Sequence, residues 1–185
     1  MERAEQEILQ WAKAGEEFST PGWEELPGIP LYMDQVIFYL KDSLGFFQRE
    51  PEGSLLTSSM INNYVKNGVL PHPDKKKYGK EHLAALTVLC LLKPVLSIPD
   101  IGELLRGQDI QGVYRAFLAA HTAAVRETCR QLEEDWAAGQ DPKELALKLA
   151  AEANAKRAAA QRILAALERE DQAEGKEKEK GKGKK

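Results

Sequence analysis

The sequence predicts an all-α protein, a helical unit followed by a long C-terminal helical hairpin. Three observations carry this. Ile110, Val113, Phe117, His121, Val125, Cys129, Leu132 and Trp136 recur at spacings of three and four, the period of one buried helix face. Leu145, Leu149, Ala153, Ala160, Ile163 and Leu167 repeat that stripe on an alanine-rich background running to about Asp171. Between them, Gly139-Gln140-Asp141-Pro142 is a turn, with Asp141 as cap, Pro142 in the first helical position and Glu144 completing a capping box.

The elements before the hairpin are shorter. Residues 2–18 are charged and carry Ile8, Leu9 and Trp11, which predicts an amphipathic helix broken by Ser19-Thr20-Pro21-Gly22. Leu26-Pro27-Gly28-Ile29-Pro30 extends an irregular connector. A helix is expected from Asp34, with Val36, Ile37, Tyr39, Leu40 and Leu44 facing inward, then a loop from Gly45 that includes residues 48–53. Thr57 caps a short helix that ends at Asn67-Gly68, a pair suited to a left-handed stop. Residues 71–77 form a proline- and lysine-rich link to Tyr78-Gly79. Residues 80–93 are apolar on nearly every face, which predicts a buried central helix stopped by Pro94. Ser97 caps the next helix, with Pro99 in its first turn and Gly107 near its end.

Composition narrows the function. The 185 residues are 43% hydrophobic and 30% charged, enough apolar material for a core. No apolar run approaches the roughly 18 residues a bilayer span needs, and the N-terminus does not read as a signal peptide. Cys90 and Cys129, in apolar helical surroundings, suit buried free thiols of a reducing, cytoplasmic setting. His72, His82 and His121 have no metal-ligand spacing with them, and no phosphate loop or nucleophile elbow exists. Neither a cofactor nor a metal is expected, and no enzymatic activity. Charge is uneven: residues 1–56 hold 4 basic and 11 acidic side chains, whereas residues 57–107 hold 7 basic and 4 acidic. A polyanion would meet the centre of the chain.

That centre carries the functional signal. On the helix after Thr57, Met60, Ile61, Tyr64 and Val65 form an apolar stripe, and Ser59, Asn62, Asn63 and Lys66 form the opposite face. Asn presents both a donor and an acceptor to adenine, while Ser and Lys suit phosphate oxygens. Lys75, Lys76 and Lys77, beside Tyr78, are placed to follow a nucleic-acid backbone.

The order of these parts resembles the winged helix-turn-helix of MerR-type transcription regulators. The matching pieces are Ile61-Asn62-Asn63-Tyr64, Asn67-Gly68-Val69-Leu70-Pro71, Lys75-Lys76-Lys77-Tyr78, the helix from Lys80, and Ser97-Ile98-Pro99-Asp100-Ile101. The sequence departs from that pattern at Asn62 and Asn63, where such regulators usually carry Arg and Tyr. Over about residues 23–150 it is also similar to a bacterial family catalogued as domain of unknown function 1836. The expected organisation is an N-terminal helix (1–22), the winged helix-turn-helix that the resemblance implies (23–107), a helical hairpin able to carry dimer contacts (108–171) and, from its low complexity, a disordered lysine-rich tail (172–185).

The expected function is that of a DNA-binding transcription regulator. Thr57, Ser59, Asn62, Asn63, Lys66, Lys75, Lys76, Lys77 and Tyr78 form the DNA-binding set. Double-stranded DNA is the expected partner, a second copy is a candidate dimer partner, no membrane is expected, and the sequence identifies no small-molecule effector. The alternative is a helical protein-interaction module that keeps the fold without DNA affinity.

Overall fold

A computed structural model of the chain describes residues 2–48 and 55–182, with side chains over 5–48 and 55–172. The fold is all-α. Among the described residues it comprises α1 (Glu2–Glu16), α2 (Met33–Ser43), α3 (Ser58–Lys66), α4 (Lys80–Leu92), α5 (Ile98–Leu105), α6 (Ile110–Ala137) and α7 (Pro142–Lys182). The described residues contain no strand, only isolated antiparallel bridges from Leu31 to Tyr78 and from Asp74 to Lys77. Residues 49–54, part of the long loop expected before Thr57, lie outside the described residues.

Helix α4 is the axle of the core. Residues 83–90 are all buried, because neighbouring helices cover every face of a segment with no polar side. Its one buried hydroxyl, on Thr87, donates to the Leu83 carbonyl at 2.8 Å and is satisfied within the helix. Val36, Leu40 and Leu44 from α2, Ile61 and Tyr64 from α3, and Ile101 from α5 pack into the same cluster. Each fully buried leucine contributes about 1.5–3 kcal/mol relative to exposure.

The boundaries follow side-chain caps. Ser97 and Asp100 cap α5 reciprocally, each backbone N–H donating to the other's side-chain oxygen at 3.2 Å. Asp109 Oδ2 accepts from Gly112 N–H at 3.0 Å at the start of α6. Asp141 Oδ1 accepts from Lys143 and Glu144 N–H at 2.9 and 3.1 Å at the start of α7. The turn before it uses Gly139 at φ +75°, a left-handed value that glycine adopts without a Cβ penalty.

Several expectations change. The main partner of α6 is α1. Phe18, Phe46, Phe47 and Phe117 surround His121 and Trp11 in one aromatic cluster between them, with Trp11 stacked on Phe46 at 4.9 Å. Tyr114, absent from the expected inward stripe of α6, is fully buried and donates to the Pro21 carbonyl at 2.7 Å. Along α7, among the residues with described side chains, the buried positions are Leu145 and Leu164, while Ile163 and Leu167 stay exposed. The helix drifts relative to its neighbours, so one residue's rotation moves Leu164 inward and Ile163 out. Helix α7 also continues past Asp171 to Lys182, where low complexity predicted a disordered tail; its Glu and Lys are strong helix formers. Residues 183–185 of that tail lie outside the described residues.

Candidate nucleic-acid interface

Helix α3 is short, nine residues, and both ends are fixed locally. Thr57 Oγ1 accepts from Met60 N–H at 3.2 Å, satisfying one of the free donors of the first turn. At the other end Gly68 takes φ +70°, which lets Val69 and Leu70 N–H both reach the Tyr64 carbonyl, at 2.9 and 3.1 Å. Ile61 and Tyr64 are buried, and Met60 and Val65 pack partly against the core. Ser59, Asn62, Asn63 and Lys66 are all exposed, and the helix contains no carboxylate. The core requires none of these four side chains.

The lysine segment is a tight reversal. Lys77 N–H donates to the Asp74 carbonyl at 2.8 Å, and Lys75 and Lys76 between them have φ of +47° and +64°. Two consecutive left-handed residues closing a two-residue hairpin loop match a type I′ turn, where Asn and Gly are the usual occupants. Lysines there hold the strained backbone while sending their ammonium groups outward; Lys75 and Lys76 are exposed and Lys77 is half-buried.

Tyr78 is a correction. It is 3% exposed and belongs to the core cluster, against the edge of His82 at 5.4 Å between ring centres. Its place in the DNA-binding set is therefore withdrawn; burial, which also raises its phenol pKa, leaves it a packing residue. Its backbone bridges Leu31 in both directions, at 2.8 and 2.9 Å. Thr57 caps the helix as its sequence position predicts, half-buried at the start of the exposed α3 face.

Sequence reasoning missed what lies beside the turn. Lys77 Nζ sits 5.1 Å above the ring of Tyr32, and Lys80 Nζ sits 5.9 Å from the ring of Trp23 while donating to the Trp23 carbonyl at 3.1 Å. Lys75, Lys77, Lys80, Trp23, His72 and His82, together with the carboxylates of Asp74 and Glu81, line an open cavity of about 530 Å³ at this corner. His82 Nδ1 accepts from Gly79 N–H at 3.2 Å, and burial holds its pKa below the usual histidine value. Tyr32 and Lys77 are 45 residues apart in sequence and Trp23 and Lys80 are 57 apart, and the bridge of Leu31 to Tyr78 brings these segments together. No group of three or more His, Cys, Asp or Glu side chains among the described residues is arranged to hold a metal. No helix among them is long and apolar enough to cross a membrane.

A family model described as Domain of unknown function (DUF1836) matches residues 21–115. This chain belongs to that family. No curated protein and no solved structure matches it. The DUF1836 region begins after α1 and ends inside α6, so it contains α3, the lysine turn and the Leu31–Tyr78 bridge. Helix α1 and the whole of α7 lie outside the DUF1836 match, and the aromatic cluster joins Phe46 and Phe47 of that unit to Trp11, Phe18, Phe117 and His121 beyond it.

Proposed function

We propose that this chain is a transcription regulator that binds double-stranded DNA through a MerR-like helix-turn-helix, with α3 in the major groove and the Asp74–Lys77 turn as a reduced wing. The observation that carries the reading is the outward face of α3. Ser59, Asn62, Asn63 and Lys66 are exposed, free of carboxylates, and unneeded by the core. Asn62 and Asn63 suit base edges; Ser59, Lys66 and Lys75 to Lys77 suit phosphate oxygens. Exposed Ile163 and Leu167 on α7 favour pairing with a second copy. Two-fold pairing would double a small contact surface.

The test is fluorescence anisotropy with a labelled duplex across a salt series. Each neutralised phosphate contributes about −0.9 to the slope of log K against log salt. Replacing Lys75, Lys76 and Lys77 together with Ala should weaken all sequences alike and flatten the slope by roughly 2–3 units. An unchanged slope would remove the wing from the reading.

One observation favours a second reading, a protein-interaction module. Phe38 on α2 is 74% exposed beside an open groove lined by Pro27, Leu31 and Tyr39. Absence of salt-dependent duplex binding would turn attention to that face.

A further inference from the structure

We infer that Tyr32 is a direct contact to duplex DNA, its ring packing on the sugar edge of the backbone next to the phosphate held by Lys77. This rests on the duplex-binding reading above and extends it to a segment before α2.

The geometry starts from the Leu31–Tyr78 bridge. It ties the connector before α2 to the outgoing arm of the lysine turn, so that the wing has a second arm. Leu31 is half-buried on the core side of that arm, and the next residue points away from it. Tyr32 is 51% exposed, and Ile29 nearby is 73% exposed. The fold uses only the backbone of Tyr32: its N–H donates to Gln35 Oε1 at 2.9 Å, and its carbonyl accepts from Val36 N–H at 2.9 Å. The ring makes no hydrogen bond that requires its exposure.

What the ring does touch is a cation. Lys77 Nζ lies 5.1 Å from its centre, within the range of a cation–π contact. A half-exposed ring with a lysine ammonium over one face offers its remaining apolar surface next to a cation. A nucleic-acid backbone alternates apolar sugar faces with phosphate charges in the same way. A protein partner would need an acid and an apolar group at that spacing; duplex DNA supplies the repeat everywhere along its length, and the turn next to Tyr32 carries two more lysines with no other evident ligand. Continuity with the proposed wing and complementary charge therefore select DNA as the occupant.

The experiment compares Tyr32→Ala, Tyr32→Phe and Lys77→Ala for duplex binding over a salt series, with thermal melts to confirm that each variant is folded. Tyr32→Ala should weaken binding roughly tenfold, the scale of the apolar ring surface that leaves the contact, and leave the salt slope unchanged because no charge is removed. Tyr32→Phe, which keeps that apolar surface, should stay within about twofold of the parent. Lys77→Ala should flatten the slope by about 0.9. Unchanged affinity in Tyr32→Ala overturns the inference while leaving the duplex reading intact. A flattened slope in Tyr32→Ala also overturns it, since the ring would then act only by positioning Lys77. A parent protein that binds no duplex overturns both.

Discussion

Gly15 on α1 faces Cys129 on α6 with no room for a side chain: a β-carbon on Gly15 would overlap the Cys129 sulfur and come within 2.9 Å of Phe46 Cζ. Cys129 is itself fully buried and unpaired. The contact sets how near the two helices approach, and through Phe46 it also fixes the aromatic cluster around His121.

Gly15→Ala should therefore destabilise the protein by about 1–3 kcal/mol, the range of overpacking in a closed core. Ala has the higher helix propensity, so a purely local effect would have the opposite sign. Combining it with Cys129→Ala should recover part of the loss, giving a coupling larger than about 0.5 kcal/mol in a double-mutant cycle by urea unfolding. Additive effects would mean that the helices separate freely.

The lysine turn gives a prediction of opposite sign. Lys75 and Lys76 both occupy left-handed backbone. Replacing them with Asn and Gly, the residues favoured in a type I′ turn, should raise stability by about 1 kcal/mol, read as an increase in melting temperature. The same change should reduce duplex affinity. Both shifts together would show local strain retained for the sake of charge.

Asn62 and Asn63 separate sequence reading from general attraction to a polyanion. Asn62→Ala should cost about 1–3 kcal/mol on a duplex selected from a random pool and far less on unselected DNA at the same salt concentration. Equal losses on both duplexes would leave this asparagine outside base recognition.

Two histidines make stability depend on pH. Burial lowers the pKa of both His82 and His121; for His82 the Pro71 and His72 carbonyls and the Glu81 carboxylate oppose it incompletely. Both are depressed in the folded state, so the unfolded chain binds more protons below its own value near 6.5. Stability should be full above that pH and decline as pH falls through the window beneath it. His121 Nδ1 is buried without a hydrogen-bond partner, so His121→Leu should weaken the decline between pH 7 and 5.5 in urea titrations. An identical decline in the variant would assign it to other groups.

The parts legible in the sequence were those written in local chemistry. Thr57, Ser97, Asp109 and Asp141 cap their helices through short-range hydrogen bonds, and three of these four helix starts were readable from the cap alone. The apolar run of α4 announced its burial. Relationships between distant segments were not legible. The close approach of α1 to Cys129 is made at a glycine, which leaves no hydrophobic signal, and Phe46 and Phe47 lie in a three-residue turn that has no period. Tyr78 stood beside three lysines and read as part of a charged surface, yet the bridge to Leu31 turns it into the core. At the candidate interface, the α3 face was legible because nine residues suffice to show two faces. The pairing of Tyr32 with Lys77 was not, because it crosses from one arm of a bridge to the other.

The 41 residues of α7 make a rod of about 60 Å at roughly 1.5 Å rise per residue. A compact chain of 185 residues has a radius of gyration near 16 Å on the usual scaling, and the rod is longer than the body that such a chain would form. Hydrodynamic drag follows the longest dimension more than the mass. A single copy will therefore diffuse and elute like a heavier globule, and a gel-filtration profile taken alone would overstate its mass. Stoichiometry has to be read from light scattering or sedimentation equilibrium, which weigh the particle without reference to its outline.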